Sequence, residues 1–274
     1  MNSLPTRAIS ALIAVTILIG LTVIFKVNGL HFAVFLVVLL GGRELVKLLF
    51  LPEDSVFDRG LFYVFVLAIF LISVFDFQRS TVTYVGFSIL YFSLNMWRHR
   101  TETNLAPISV LHAKSLLGFF YLGLLPVFAD RVLWLTHGMI WFFVLLAIVF
   151  AGDIFAFLFG VNWGRHKIMP AISPKKSMEG ALGGLFGSVV ASLVASYFLP
   201  QVPIYVLAAM GLLVGMIGQF GDFFESLLKR VADLKDSGSI MPGHGGVLDR
   251  LDGVLFAAPF VYLTASFFES IVQQ

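Results

Sequence analysis

Residues 221–253 concentrate the side chains of this chain that could carry out chemistry. Carboxylate oxygens are the ligands that Mg²⁺ prefers, and they leave coordination positions open for phosphate oxygens. Lysine and arginine bind phosphate oxygens directly. The composition therefore predicts a site for metal-bound phosphate, and a solvated loop with internal salt bridges is the alternative. The carboxylates are Asp222, Glu225, Asp233, Asp236, Asp249 and Asp252, and the cations are Lys229, Arg230, Lys235 and Arg250.

The spacing within this segment groups the carboxylates in pairs. Asp222 and Glu225 are three residues apart, as are Asp249 and Asp252, so on a helix each pair would face one side. The glycine-rich run 242–246 between the pairs cannot form a regular helix, and its amides could bind phosphate as a concave nest. His244 within this run could donate to phosphate, act as an acid or base, or make a structural hydrogen bond.

A second group of candidates precedes this segment. Asp153 lies near the end of a long apolar run, where an ionisable group costs a few kcal/mol unless it faces a polar interior. A capping or interfacial carboxylate is the alternative. Further on, Lys167, Lys175 and Lys176 form a cationic patch with Ser173, suited either to phosphate or to anionic lipid headgroups.

The elements that position these residues must lie in a membrane. The chain has 274 residues, of which 59% are hydrophobic and only 12% charged, whereas soluble domains carry about 25% charged residues. The absence of cysteine excludes disulfides, thiolate metal sites and cysteine nucleophiles. We expect an all-α, polytopic integral membrane protein with nine transmembrane helices, or eight if one of the two runs that charged residues interrupt, the second or the fifth, does not cross. The apolar runs lie near 8–25, 30–51, 60–77, 82–97, 112–129, 136–160, 180–199, 202–221 and 253–272.

The distribution of lysine and arginine predicts the orientation. With nine spans and a cytoplasmic N-terminus, the inside loops hold all of the 18 basic residues except Lys26, Arg79 and Arg131, as the positive-inside rule requires. We therefore expect a protein of the cell (inner) membrane whose N-terminus and loops 160–180 and 222–252 are cytoplasmic. Residues 1–135 would form N-terminal transmembrane helices and residues 136–274 a catalytic transmembrane region. No nucleic-acid partner is expected.

Small residues recur at four-residue spacing on the helix between the two polar loops. This pattern lets helix backbones approach closely inside a membrane, so we interpret it as a packing surface. The residues are Gly180, Gly184, Ser188, Ser192 and Ser196, with Gly183, Gly187, Ala191 and Ala195 on the adjacent stripe.

Two blocks of these residues resemble a known family, the phosphatidate cytidylyltransferases or CDP-diacylglycerol synthases. The resemblance covers about 150–253, and the first five spans match only in being hydrophobic. One departure is that Ser177-Met178 stands where the family usually has threonine followed by an aromatic or aliphatic residue. The first block is Asp153, Ala156-Phe157, Gly160, Gly164, Lys167, Ser173-Pro174-Lys175-Lys176 and Glu179-Gly180. The second is Ser226, Lys229-Arg230, Lys235-Asp236, Pro242-Gly243-His244-Gly245-Gly246, Asp249-Arg250 and Asp252.

The resemblance implies transfer of a cytidylyl group from CTP to phosphatidic acid, with release of pyrophosphate, in phospholipid biosynthesis. It further implies an Mg²⁺ requirement, with room for a second metal ion, and a homodimer. The implied metal ligands are Asp153, Asp222, Asp249 and Asp252. The implied catalytic residues are Asp222, Lys229, Arg230, Lys235, Asp236, His244, Asp249, Arg250 and Asp252, and the implied substrate-binding residues are Ser173, Lys175, Lys176, Ser177, Ser226, Gly245 and Gly246.

Three other functions predict a different sequence pattern or a different product. A CDP-alcohol phosphotransferase is excluded, because Asp249-x-x-Asp252-Gly253 is not followed by that family's Ala-Arg pair or its later aspartates. A CTP-dependent lipid alcohol kinase would release CDP instead of pyrophosphate. A transporter would carry charges at mid-membrane depth across repeated halves, whereas the charges here concentrate on one side of the C-terminal half.

Overall fold

A computed structural model of the chain describes residues 4–51, 54–241, 243 and 245–272. Within these residues the fold contains ten α-helices and no β-sheet, which confirms the predicted all-α class. The helices are α1 Leu4–Phe25, α2 Val27–Leu49, α3 Val56–Phe75, α4 Ser80–Arg98, α5 Ala106–Gly118, α6 Leu125–Val132, α7 Gly138–Trp163, α8 Met178–Val194, α9 Ile204–Val231 and α10 Leu248–Val272.

Each of the nine predicted apolar runs coincides with helix in the described part of the chain. The fifth run is covered by α5 and α6, which a π-helical turn at Phe119–Leu124 joins into the continuous segment Ala106–Val132. This segment, α3, α7, α9, α10 and the segment Met178–Tyr197, in which a 3-10 turn extends α8, are long and apolar enough to cross a membrane. The chain is therefore a multi-pass membrane protein.

The chain divides into two compact units, which we describe separately. Unit 1 comprises Met1–Asp130 and Val231–Arg250, and unit 2 comprises Arg131–Arg230 and Leu251–Gln274. The loop between α9 and α10 thus groups with the N-terminal helices. The helix α10 begins in unit 1 and continues in unit 2.

Unit 1 has an aromatic core where α3, α4 and the π-helical turn meet. The ring centroids of Phe62 and Phe119 lie 5.4 Å apart, and those of Phe65 and Tyr91 are also 5.4 Å apart. These four side chains are buried, and the hydroxyl of Tyr91 accepts a 3.0 Å hydrogen bond from Ser115 Oγ. Offset and edge-to-face ring pairs of this kind add to the free energy gained by burying the rings.

Unit 2 is built on close contacts between α7, α8 and α9. A side-chain carbon at Gly187 of α8 would lie 2.7 Å from Phe155 Cβ of α7, and one at Gly215 of α9 would lie 2.5 Å from Ser188 Oγ of α8. Only glycine permits such an approach, so the small-residue stripe is a helix-packing surface, as predicted. The result is a tight three-helix scaffold for the polar residues at its ends.

Candidate functional site

The predicted site residues fall in both units. Pro242 and His244 lie outside the described residues. Unit 2 holds Asp153 on α7, Asp222, Ser226, Lys229 and Arg230 on α9, Asp252 on α10, and Ser173, Lys175, Lys176 and Ser177 in the segment before α8. Unit 1 holds Lys235, Asp236, Gly245 and Gly246 in the α9–α10 loop, followed by Asp249 and Arg250 in the first turn of α10.

Four carboxylates come together in unit 2. Asp252 is 8% exposed, and Asp222, Glu225 and Asp153 all lie near enough to interact with it electrostatically. Close packing of α9 on α10 creates this arrangement, because a side-chain carbon at Gly221 would lie only 2.5 Å from the backbone oxygen of Asp252. Three of the four predicted metal ligands therefore lie in one unit, where Asp252 interacts electrostatically with Asp222 and Asp153.

Two lysines pair with carboxylates of this cluster. Lys176 Nζ lies 2.6 Å from Asp222 Oδ2 and 4.0 Å from the centroid of the Phe223 ring. Lys229 forms an ion pair with Glu225, its neighbour one turn earlier on α9. Glu225 is fully buried, so this ammonium offsets a charge that would otherwise be costly inside the protein.

The segment before α8 is held in place by backbone contacts. Ile168 N donates to Lys176 O at 3.3 Å, and Met178 N donates to His166 O at 2.8 Å. Arg230 Nε on α9 donates to Ile172 O at 3.1 Å. These bonds place Lys176 beside α9, while Ser173 is partly exposed and Lys175 is exposed.

Ser177 has a structural role that its sequence position alone does not indicate. Its hydroxyl caps α8 by accepting a 3.2 Å hydrogen bond from Gly180 N. The side chain is buried and would be 2.6 Å from a side-chain carbon at Gly164. Ser177 therefore fixes the point at which the cationic segment passes into α8.

The carboxylates of unit 2 suit a hard divalent cation by their chemistry. They offer only oxygen donors, as Mg²⁺ prefers, and they outnumber the two lysines that pair with them. Within the described ranges, no three histidine, aspartate or glutamate side chains form a preassembled metal cluster. The donor set thus fits Mg²⁺, with Asp222 engaged by Lys176 in this structure.

Asp249 has different partners from the unit 2 carboxylates. Its Oδ2 accepts hydrogen bonds from Ser237 N at 2.8 Å, Ser237 Oγ at 2.9 Å and Gly246 N at 2.8 Å. Gly245 has a φ of +86°, and a side-chain carbon there would lie 2.5 Å from the same oxygen. The amide of Gly246, which we expected to bind phosphate, therefore binds Asp249 here.

Glu44 is a site neighbour that the sequence analysis missed. It lies on α2, is 1% exposed, and accepts hydrogen bonds from Val247 N at 3.1 Å, Leu248 N at 3.0 Å and Ser237 Oγ at 3.2 Å. In the sequence it appeared only as one of three charges interrupting an apolar run. The available signal was its position: Arg43 and Lys47 can extend to the membrane surface, whereas a carboxylate within a span needs a partner.

The known proteins that this chain resembles in sequence are cytidylyltransferases. The model of the cytidylyltransferase family matches residues 5–268. A phosphatidate cytidylyltransferase of Thermotoga maritima is 30% identical over 287 residues, which cover 100% of both proteins. One of Bacillus subtilis is 41% identical over 136 residues, 48% of this chain and 49% of that protein. One of Synechocystis is 34% identical over 177 residues, 54% and 60% respectively.

Proposed function

The chain belongs to the cytidylyltransferase family, and we propose that it makes CDP-diacylglycerol from CTP and phosphatidic acid. A phosphate oxygen of phosphatidic acid attacks the α-phosphorus of CTP. The bond from this phosphorus to the oxygen bridging to the β-phosphate breaks, and pyrophosphate leaves. The observation that carries the assignment is the grouping of family-motif carboxylates and lysines at one place in unit 2.

This reaction asks little of the protein in proton transfer. A phosphate monoester has a second pKa of about 6, so at neutral pH it is already a nucleophile. The protein must instead hold two polyanions together, offset their mutual repulsion and align the attacking oxygen opposite the leaving pyrophosphate. Carboxylates with a bound cation and flexible basic side chains meet that requirement.

We assign the metal-binding role in unit 2 to Asp222 and Asp252, together with Asp153, whereas the metal role of Asp249 in unit 1 stays a prediction from the family motif. A magnesium ion bound there supplies charge neutralisation for the phosphates. Ser226 helps to hold the Asp222 side chain in place, because its Oγ donates a hydrogen bond to Asp222 Oδ1 at 3.4 Å. Asp252 is held by its own helix, since Gly253 N donates to its Oδ1 at 2.7 Å.

Lys176 exchanges partners when the substrates bind. Lys176 Nζ leaves Asp222 Oδ2 and moves to phosphate oxygens, which frees Asp222 for the cation. This exchange is inexpensive, because the Lys176 and Asp222 side chains are 27% and 36% exposed and partly exposed ion pairs contribute only about 0–1 kcal/mol. Lys175 and Arg230 of unit 2 bind further phosphate oxygens, and for Arg250 of unit 1 phosphate binding stays a prediction from the family motif.

The distribution of basic residues supports a cytoplasmic location for this site, on the inner face of the cell membrane. CTP and phosphatidic acid would then meet at the membrane surface. We also propose that the protein is a homodimer. Native mass spectrometry in mild detergent tests this: a mass of twice 30.2 kDa supports the dimer, and a monomer at all concentrations contradicts it.

Product identification tests the reaction itself. Purified protein in detergent is given phosphatidic acid, CTP labelled at the α-phosphate, and Mg²⁺. We expect labelled lipid and pyrophosphate in equal amounts, and loss of both on adding EDTA. If a lipid alcohol in place of phosphatidic acid gives labelled CDP and an unlabelled phosphorylated lipid, the protein is instead a lipid kinase, and absence of any product from folded protein would overturn the assignment.

A further inference from the structure

The buried carboxylate of Glu44 connects α2, a helix outside the family motifs, to the motif loop. Both of its oxygens are used: Oε1 accepts from Val247 N at 3.1 Å, and Oε2 accepts from Leu248 N at 3.0 Å. These two amides stand at the start of α10, where backbone N–H groups have no hydrogen-bond partner within the helix. Glu44 therefore acts as a capping residue for α10 from 203 residues away in the chain.

Glu44 and Asp249 are joined through one hydroxyl. Ser237 Oγ lies 3.2 Å from Glu44 Oε2 and 2.9 Å from Asp249 Oδ2. A hydroxyl has one proton to donate, so Ser237 serves one carboxylate at a time while staying between both. Two carboxylates at the positive N-terminal end of α10 are electrostatically favourable, and together they fix both the loop and the first helical turn.

Two glycines of the loop are explained by this arrangement. A side-chain carbon at Gly238 or at Gly246 would overlap the Glu44 carboxylate, and at Gly246 it would also overlap Ser237 Oγ. The backbone at Gly238 and Gly246 thus packs directly against the Glu44 carboxylate. Any residue larger than glycine would push the carboxylate away from the amides that it holds.

We propose that Glu44 is a positioning residue of the cytidylyltransferase site, an inference that rests on the function proposed above. Its carboxylate sets the direction of the first turn of α10 and hence the placement of Asp249 and Arg250. Glu44 touches no substrate in this role. Its loss should therefore lower kcat much more than it raises KM for CTP, since misplacing a reacting group by about 1 Å costs on the order of 100-fold in rate.

The test compares Glu44→Gln with Asp58→Asn, in the full-length protein. Asp58 is a matched control because it is also a buried carboxylate of unit 1, but it pairs with Arg98 and His99 at 3.0 and 3.4 Å instead of the loop. Glutamine keeps the size of Glu44 but offers one acceptor oxygen and an NH₂ group that opposes a backbone N–H. Two readouts are taken: steady-state kinetics with phosphatidic acid and CTP, and hydrogen exchange of the peptides covering 237–250.

We expect Glu44→Gln to lower kcat by about 100-fold, with little change in KM, and to speed exchange in 237–250 alone. Asp58→Asn should keep the wild-type kcat per folded molecule. If Glu44→Gln does not fold, Ser237→Ala carries the test, because it removes the bridging hydroxyl and leaves both amide bonds to Glu44. That variant should show the same pattern, with a decrease in kcat of about tenfold, corresponding to loss of one hydrogen bond to a charged group.

Two results would overturn the proposal. The first is hydrogen exchange at the wild-type rate in 237–250 in both variants, which would mean that Glu44 and Ser237 do not hold the loop. The second is faster exchange with unchanged kcat, which would make the contact structural only. If the wild-type protein makes no CDP-diacylglycerol, the proposed function fails, while the exchange comparison still decides whether Glu44 fixes the loop.

Discussion

Two groups of buried or partly buried carboxylates differ in what they bind. In unit 2, Asp222 and Glu225 pair with the ammonium groups of Lys176 and Lys229. In unit 1, Glu44 and Asp249 accept hydrogen bonds from backbone amides and from Ser237. Long, flexible lysines can exchange one anion for another, whereas amides fixed by the backbone cannot. The first group is suited to substrate binding and the second to holding structure.

The energies of these contacts support the same division between substrate binding and structural support. A partly exposed ion pair such as Lys176–Asp222 contributes about 0–1 kcal/mol to stability. A hydrogen bond to a charged group contributes about 1.5–3 kcal/mol, and Asp249 accepts two from backbone amides and one from Ser237 Oγ, which it shares with Glu44. Substitution of Asp222 or Lys176 should therefore reduce activity with little effect on stability, while substitutions around α10's first turn should reduce both.

The largest effect on activity is expected for Asp222→Asn. Loss of one carboxylate from the cluster removes a metal ligand, and metal-held charge stabilisation amounts to several kcal/mol in a phosphoryl transition state. We expect kcat/KM to fall by about 1,000-fold, since each 1.36 kcal/mol is a factor of ten. The thermal unfolding midpoint in detergent should stay near the wild-type value. Full activity of this variant would contradict the metal-binding role of Asp222.

Asp249→Ala is expected to lower activity and stability together. The change leaves Gly246 N and Ser237 N without the acceptor that they have in the structure, at a cost of about 1–3 kcal/mol for each unsatisfied buried group. Thermal unfolding and the assay with labelled CTP, run on the same preparation, measure both effects. Unchanged thermal stability would contradict the structural difference between the two carboxylate groups.

Lys176→Gln tests whether Lys176 moves from Asp222 to phosphate oxygens when the substrates bind. The variant should bind CTP or phosphatidic acid about 10- to 100-fold more weakly, as expected for loss of a charge-assisted contact of about 1.5–3 kcal/mol. The kcat at saturating substrate should fall less. Lys47→Gln is the control, because Lys47 is an exposed lysine outside the proposed phosphate-binding residues. Equal effects of the two changes would indicate general attraction to anionic lipid.

The smallest effect is expected for Ser177→Ala. Because Ser177 Oγ caps α8, its removal should cost about 1 kcal/mol of stability and change KM for either substrate little. Thermal unfolding and the two KM values are the measurements. A large rise in KM without loss of stability would give Ser177 the substrate-binding role that the family motif implies.

The sequence was sufficient for those parts of the fold that depend on local pattern. The apolar runs predicted the helices, and the three-residue spacing of Asp222 and Glu225 predicted carboxylates on one side of α9. The stripe containing Gly187 predicted close packing. Charge at membrane depth singled out Asp153, which interacts electrostatically with Asp252 in the fold, and its role as a metal ligand stays a prediction.

Contacts between distant segments could not be predicted in this way. Nothing in the local sequence of Glu44 indicates that its partners are Val247 and Leu248. The glycine run was expected to bind phosphate through its amides, but the identity of an amide's acceptor depends on tertiary structure. In the fold, Gly246 N donates to Asp249 and the space at Gly246 is taken by Glu44.

The most direct test of the metal site proposed in unit 2 is Mn²⁺ binding in the presence of CTP, followed by electron paramagnetic resonance. Mn²⁺ accepts the same oxygen donors as Mg²⁺, and wild-type protein, Asp222→Asn and Asp58→Asn are compared. We predict that Asp222→Asn weakens binding by about tenfold or more, equivalent to about 1.4 kcal/mol, and that Asp58→Asn binds as the wild type does. Equal Mn²⁺ affinity in all three proteins would contradict the assignment of the metal to the unit 2 carboxylates.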